Sequence, residues 1–88
     1  YFMYSKPRPV MPMFQRFTKI DQSKNCRRYY VVAVETDLFG QVVLTRTWGR
    51  IGSRGRIKTT RYAMWREAEA AALAENVRRA RRGYSQSA

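Results

Sequence analysis

The sequence is poor in the residues that make disulfides and metal sites. Among 88 residues it has one cysteine, Cys26, and no histidine. A single thiol cannot form a disulfide within the chain, and the common zinc sites would lack ligands. These absences predict a reducing, cytoplasmic location and neither a metal nor another cofactor.

Long apolar runs and acidic residues are also scarce. No stretch approaches the ~20 apolar residues of a membrane-spanning helix, and Pro7 interrupts the beginning before a signal-peptide core could form. The six Asp and Glu residues show no paired carboxylates, no nucleophile with a base and no metal cluster, which catalysis commonly needs. We therefore expect a protein that is not an enzyme and has no membrane partner.

Positive charge is the abundant property. Lys and Arg total 18, and the formal net charge is +12. Lysine occupies only positions 6, 19, 24 and 58, so 14 of the 18 are arginines, whose planar fork suits bidentate contacts with phosphate. Genome base composition can also enrich arginine, and an anionic membrane surface competes as a partner. Together with 14% aromatic residues, the charge favours nucleic acid.

The domain organisation follows from where the prolines lie. All three fall within residues 1–12, which show no periodicity and are predicted to form an extended basic arm. Residues 13–84 are predicted to be one domain, and residues 85–88 a short C-terminal tail. The 44% hydrophobic content is enough for one modest core.

Four segments after the arm have strand character: 13–20, 29–34, 41–48 and 56–62. The unbroken apolar run 29–34 predicts a central strand covered on both faces. Alternation in 41–48 places Arg46 and Trp48 on one face, and Arg56 and Lys58 likewise share a face of the fourth strand.

A helix is predicted from Ala63 to the glycine at position 83, which suits a helix C-terminus. Its core-facing residues are predicted from their i, i+3, i+4, i+7 spacing to be Ala70, Leu73, Ala74, Val77 and Ala80. The predicted fold class is α+β: a small antiparallel β-sheet of four or five strands with one C-terminal α-helix packed on it.

The stretch from Trp48 to Arg56 carries the strongest functional signal. Its glycines allow a backbone or a phosphate to approach closely, its arginines bind phosphate, and Trp48 offers a flat face for a base or sugar. An ordinary β-hairpin turn would explain the same residues. A P-loop is excluded, because the turn lacks the Gly-Lys-Ser/Thr ending and joins two strands.

Four arginines close the predicted helix, at positions 78, 79, 81 and 82. Cations are favoured at a helix C-terminus by about 0.3–1 kcal/mol each. Four of them exceed what this effect requires and repel one another, which predicts contact with the phosphates of a nucleic-acid backbone.

Several of these segments, in order and spacing, resemble a WGR domain. They are Asn25-x-x-Arg28-Tyr29-Tyr30, Asp37-Leu38-Phe39-Gly40, Arg46-x-Trp48-Gly49-Arg50-Ile51-Gly52 followed by Gly55, and Arg81-Arg82-Gly83-Tyr84. The resemblance extends from about Thr18 to Tyr84. It is strongest to the short stand-alone bacterial members of the family and extends to the WGR module of poly(ADP-ribose) polymerases. It implies a four- or five-stranded antiparallel sheet with a helix against it, and nucleic-acid binding.

The resemblance also implies roles for single residues. In poly(ADP-ribose) polymerases the module lies beside a catalytic domain and contacts DNA at a strand break. Trp48 would accordingly pack on the sugar or base of a terminal nucleotide, and Asn25 would lie near the DNA. The arginine that corresponds to Arg50 helps those enzymes relay break detection to neighbouring domains, so Arg50 is expected to contact DNA, a partner protein or its own fold.

The leading hypothesis is a non-enzymatic module that binds DNA ends, nicks or gaps through Trp48. Its predicted binding residues are Trp48, Gly49, Arg50, Arg46, Arg54, Gly55, Arg56, Lys58, Asn25, Arg81 and Arg82. The alternatives are a protein-interaction adaptor that docks through the Trp-Gly-Arg turn, with a protein partner at Arg50, and a binder of RNA or single strands. DNA binding would make the protein a nucleoid-associated one within the bacterial cytoplasm. The sequence leaves the oligomeric state open.

Overall fold

A computed structural model of the protein describes residues 13–87, and the arm predicted for residues 1–12 lies outside them. Five strands and one helix follow one another along the chain: β1 (Met13–Asp21), β2 (Cys26–Thr36), β3 (Val42–Arg50), β4 (Arg56–Tyr62), α1 (Trp65–Arg81) and β5 (Ser85–Ser87). A 3₁₀ turn, Gln22–Lys24, joins β1 to β2. The strands form one antiparallel sheet in the order β4-β3-β2-β1-β5, which confirms the predicted α+β class.

Turn chemistry fixes the register of the central strands. The Asp37 carboxylate accepts the backbone N–H groups of Phe39 and Gln41, each at 2.9 Å, and so closes the hairpin between β2 and β3. The resulting register places Trp48 opposite Tyr30 on one side and opposite Arg56 on the other. The side chains of opposite residues share a face of the sheet, so these three residues are neighbours.

The core lies between one face of the sheet and α1. Buried side chains from the strands, among them Phe17, Val32 and Leu44, pack against Ala68 and Ala72, which are fully buried. Alanine has the smallest apolar side chain of this face, so it lets the helix axis come close to the sheet. No helix of residues 13–87 is long and apolar enough to cross a membrane.

The predicted core face of the helix was wrong. The stripe Ala70, Leu73, Ala74, Val77, Ala80 faces solvent, and Leu73 and Val77 are each 52% exposed. The helix instead turns toward the sheet a face that carries Ala68, Ala72 and a glutamate, Glu75. Periodicity selects the most apolar stripe, whereas packing selects the stripe whose size and charge complement the sheet. Here the sheet supplies an arginine for the glutamate.

Strand β2 also departs from its prediction. It is central laterally, because β1 and β3 flank it, and Tyr30, Val32 and Val34 are buried beneath α1. On the opposite face Val31 and Ala33 are only half-buried, and no helix of the described part of the chain covers them. An unbroken apolar run therefore did not mean burial on both faces.

The C-terminal end of the chain contributes a strand where the sequence indicated a tail. After α1, Gly83 adopts a left-handed conformation with φ 89°. Its N–H donates to the Ala80 carbonyl at 3.1 Å, and the Tyr84 N–H donates to the Arg79 carbonyl at 3.0 Å. This Schellman-type ending reverses the chain and lays β5 alongside β1.

Candidate nucleic-acid interface

A cleft of about 750 Å³ opens between the C-terminal half of α1 and the adjoining ends of β2 and β3. We call it the basic cleft, since ten cations and a single carboxylate line it. The cations are Lys19, Lys24, Arg27, Arg28, Arg46, Arg50, Lys58, Arg78, Arg79 and Arg82. Low-dielectric walls lined by one sign of charge focus the electrostatic field, so the cleft attracts polyanions.

Aromatic rings form part of its surface. Trp48 and Tyr30 stack with their centroids 6.1 Å apart and their planes 19° from parallel. Tyr84 meets Tyr30 edge-on, at 6.4 Å and 75°. Trp48 is half-buried, so its indole combines a fixed position with some accessible surface. A flat, rigid ring beside many cations is what a nucleotide needs for stacking.

The carboxylate of the basic cleft belongs to Glu75, which is 3% exposed. It accepts hydrogen bonds from Tyr30 Oη at 2.9 Å, from Arg46 Nη1 at 3.1 Å and from Arg78, and Arg79 Nη2 lies 3.8 Å away. Glu75 thus joins α1 to β2 and β3. Burial, followed by the hydrogen bond to Glu75, raises the pKa of Tyr30.

The guanidinium of Arg79 lies over the aromatic rings. Its Cζ atom is 4.2 Å from the centroid of Tyr30 and 5.7 Å from that of Tyr84. Both distances fall within the range of cation–π attraction. Arg79 therefore fixes two rings of the cleft as well as lining it.

The Trp-Gly-Arg turn depends on a close approach between two glycines. A Cβ added to Gly49 would lie 2.8 Å from the Gly55 Cα, a distance real Cβ atoms do not adopt. Beneath the turn, the Tyr29 hydroxyl shares its one proton between the carbonyl oxygens of Ser53 and Arg54, which lie 3.2 Å and 3.0 Å from Oη. Gly49 and Gly55 are thus required by the turn itself, whatever it binds.

Seven of the eleven predicted site residues line the basic cleft: Asn25, Arg46, Trp48, Gly49, Arg50, Lys58 and Arg82. Arg54 and Gly55 lie in the turn beyond it, Arg56 lies on β4 opposite Trp48, and Arg81 is exposed at the end of α1. Asn25 has φ 50° and closes the 3₁₀ turn, a left-handed position that asparagine tolerates well.

Sequence reasoning missed Glu75 and the cations on and after β1. Two arginines, at positions 78 and 79, follow Glu75 at spacings of three and four, which places them near its carboxylate on a helix. This spacing was the signal in the sequence that could have indicated an ion-paired Glu75. The antiparallel pairing of β2 with β3 brings Lys19, Lys24, Arg27 and Arg28 to the end of β3. No pattern in the neighbouring sequence indicates this pairing.

The described residues form a small α+β domain whose cleft is lined by many cations and three aromatic rings, and comparison with known proteins identifies its family. Residues 13–88 match the family model described as WGR domain, so the chain belongs to the WGR family. The WGR domain is a nucleic-acid-binding module.

The chain also resembles a longer bacterial protein, called uncharacterized protein y4dW, from Sinorhizobium fredii. The two are 35% identical over 66 residues, which cover 75% of this chain and 32% of that protein. The chain therefore spans about a third of the length of this relative. No solved structure matches the chain significantly.

Proposed function

We propose that this domain binds DNA at ends, nicks or gaps, with Trp48 stacked on the exposed nucleotide and arginines on the flanking phosphates. The observation that carries the proposal is the position of Trp48 inside the basic cleft. An intact duplex offers phosphates but keeps its base faces stacked on one another. A break adds an exposed base or sugar face, which only a stacking ring can use.

The cations at the rim of the basic cleft supply the general affinity. Six of them are exposed, form no ion pair among residues 13–87 and are therefore free to reach phosphates: Lys24, Arg27, Arg28, Arg50, Lys58 and Arg82. If about five phosphates are neutralised, log affinity falls with log salt at a slope near −4.5. That slope corresponds to roughly a 500-fold loss of affinity between 50 and 200 mM salt.

The stacking contact supplies the preference for a break. Tyr30 backs the Trp48 ring, so little conformational freedom is lost when a nucleotide packs on it. Stacking of one base on an aromatic side chain contributes about 1–3 kcal/mol. We therefore expect broken DNA to bind at least tenfold more tightly than intact DNA, which is about 1.4 kcal/mol.

Arg50 favours nucleic acid over a protein partner. It lines the basic cleft beside Trp48, and the structure gives its guanidinium no hydrogen-bond partner among residues 13–87. Exposed Arg54 and Arg56 extend the positive surface past the cleft. Gly49 and Gly55 act through the shape of the turn, and Arg81 adds long-range charge.

The test is fluorescence anisotropy with one labelled DNA sequence in three forms: an intact duplex closed by a loop at both ends, the same closed duplex with one nick, and the same closed duplex with one gap. A single-stranded RNA of the same length forms a fourth arm. Titrations at about 50, 100 and 200 mM salt give the slope. Equal binding to all DNA forms would contradict break recognition, and preference for the RNA arm would favour the single-strand alternative.

A pair of tryptophan variants isolates the stacking. Trp48→Leu keeps apolar bulk but removes the flat ring, so we expect the preference for nicked DNA to fall by about tenfold while the salt slope is kept. Trp65→Leu is the control, because Trp65 packs on the core outside the cleft. An equal loss in both variants would assign the effect to stability. Absence of DNA binding by the wild type would move the adaptor function at Arg50 to first place.

A further inference from the structure

Glu75 is the unexpected component of the basic cleft. A negative charge in a phosphate-binding surface repels the ligand, and burial of a carboxylate is costly unless it is paired. Glu75 is both buried and central, with Tyr30, Arg46, Arg78 and Arg79 around its two oxygens. Glu75 therefore lowers the affinity of the cleft for phosphate, and its contacts must have another effect on binding.

Its first effect is to divide the cations of the cleft into two groups. Glu75 provides the counter-charge of Arg46 and Arg79, whose side chains are 20% and 13% exposed, and also of Arg78, whose side chain is 51% exposed. The rim cations have no such neighbour, since Glu75 is the one carboxylate that lines the cleft. Phosphates are accordingly drawn to the rim, and the deep wall is left for the uncharged parts of a nucleotide.

Its second effect passes through Tyr30. The Tyr30 hydroxyl donates to Glu75 at 2.9 Å, and the Tyr30 ring stacks on Trp48. Two direct contacts therefore connect the carboxylate to the ring that faces the ligand. Arg79 lies over the same tyrosine and is itself held by Glu75, which restricts the stack further.

We propose that Glu75 is a specificity-determining residue of the basic cleft. It weakens the binding of phosphate at the deep wall and positions Trp48 through Tyr30, so binding depends on an exposed nucleotide and less on backbone charge alone. The inference rests on the proposed recognition of DNA breaks. It predicts that a variant without this charge binds DNA more tightly and discriminates less.

The decisive comparison is between two isosteric changes, Glu75→Gln and Glu69→Gln. Each raises the net charge by one, but Glu69 is exposed on α1 outside the cleft. For Glu75→Gln we expect about fivefold tighter binding to the intact duplex closed by loops at both ends, at about 50 mM salt. We also expect a slope steeper by about 0.9, because one released arginine takes a phosphate, and a preference for nicked DNA reduced from tenfold to about twofold. Glu69→Gln should keep the wild-type slope and preference.

Tyr30→Phe tests the positioning route without a change of charge, and it keeps the inference testable if Glu75→Gln does not fold. It keeps the stacked ring and removes the hydrogen bond to Glu75. We expect a lower preference for nicked DNA at the wild-type salt slope. Circular dichroism of each variant confirms the fold.

The outcomes separate the two proposals. If the wild type shows no preference for broken DNA, the proposed function fails, whatever the variants do. If the wild type prefers broken DNA but Glu75→Gln behaves like Glu69→Gln, the role assigned to Glu75 is wrong. An unchanged preference in Tyr30→Phe overturns the positioning route.

Discussion

Gly55 offers a sharp test of the turn that carries Trp48. Its φ of 74° is left-handed, and a Cβ at this position would collide with Tyr29 Oη and lie 2.5 Å from the Trp48 carbonyl oxygen. Gly55→Ala therefore does more than strain the backbone. It must push the tyrosine hydroxyl away from the two carbonyls to which it donates, or open the hairpin.

The cost can be worked from these contacts. The left-handed conformation costs an alanine about 1–2 kcal/mol, and loss of the one hydroxyl hydrogen bond, which the two carbonyls share, adds about 1 kcal/mol. We expect Gly55→Ala to lower the free energy of unfolding by about 2–3 kcal/mol, a large part of the 5–15 kcal/mol typical of a domain. Gly52→Ala is the matched control, because Gly52 lies in the same turn with φ 93° and has no atom within 4 Å of an added Cβ.

Urea denaturation followed by circular dichroism measures both variants. With a slope of about 1 kcal/mol per M for a small domain, Gly55→Ala should lower the midpoint by about 2–3 M. Gly52→Ala should lower it by about 1–2 M. Equal costs would refute the reasoning, since they would leave only backbone strain and no packing of the turn against Tyr29.

Two further predictions concern the core and the pH dependence of stability. Ala72→Leu should destabilise the domain by about 1–3 kcal/mol, because Ala72 is fully buried against the sheet and the larger side chain overpacks it; Ala70→Leu, on the exposed face, should change stability by less than about 0.5 kcal/mol. The raised pKa of Tyr30 means that the folded state holds the phenol proton more tightly than the unfolded state does. The corresponding stabilisation is present below the ordinary tyrosine pKa of about 10 and is lost as pH rises through the folded-state pKa. As pH rises above about 10, unfolding free energies should decline less steeply for Tyr30→Phe than for the wild type, and parallel curves would contradict this assignment.

Local patterns predicted most of the fold. The fourth predicted strand, 56–62, coincides with β4, and the stop at Gly83 matches a left-handed glycine two residues after α1. Alternation also predicted correctly that Arg46 and Trp48 share a face. These properties depend on backbone geometry and on neighbours in sequence, which a single chain displays directly. The buried face of α1 was missed because it depends on the sheet, which supplies Arg46 as the partner of Glu75.

The candidate site likewise has one part that the sequence predicted and one part that it did not, and the difference has a physical cause. Trp48 and its glycines could be recognised from the sequence, because one short turn brings together an aromatic ring, cations and glycines that allow close backbone approach. Glu75 lies 27 positions later, on a helix whose other acidic residues are exposed at its surface, and only folding shows that its carboxylate meets Tyr30 and Arg46. Net charge counts Glu75 only as one of six acidic residues. It therefore gives no sign that this carboxylate lies inside the basic cleft. Glu75 and Glu69 carry the same charge and differ only in position. A difference in DNA binding between the two glutamine variants therefore reports the effect of the buried contacts of Glu75.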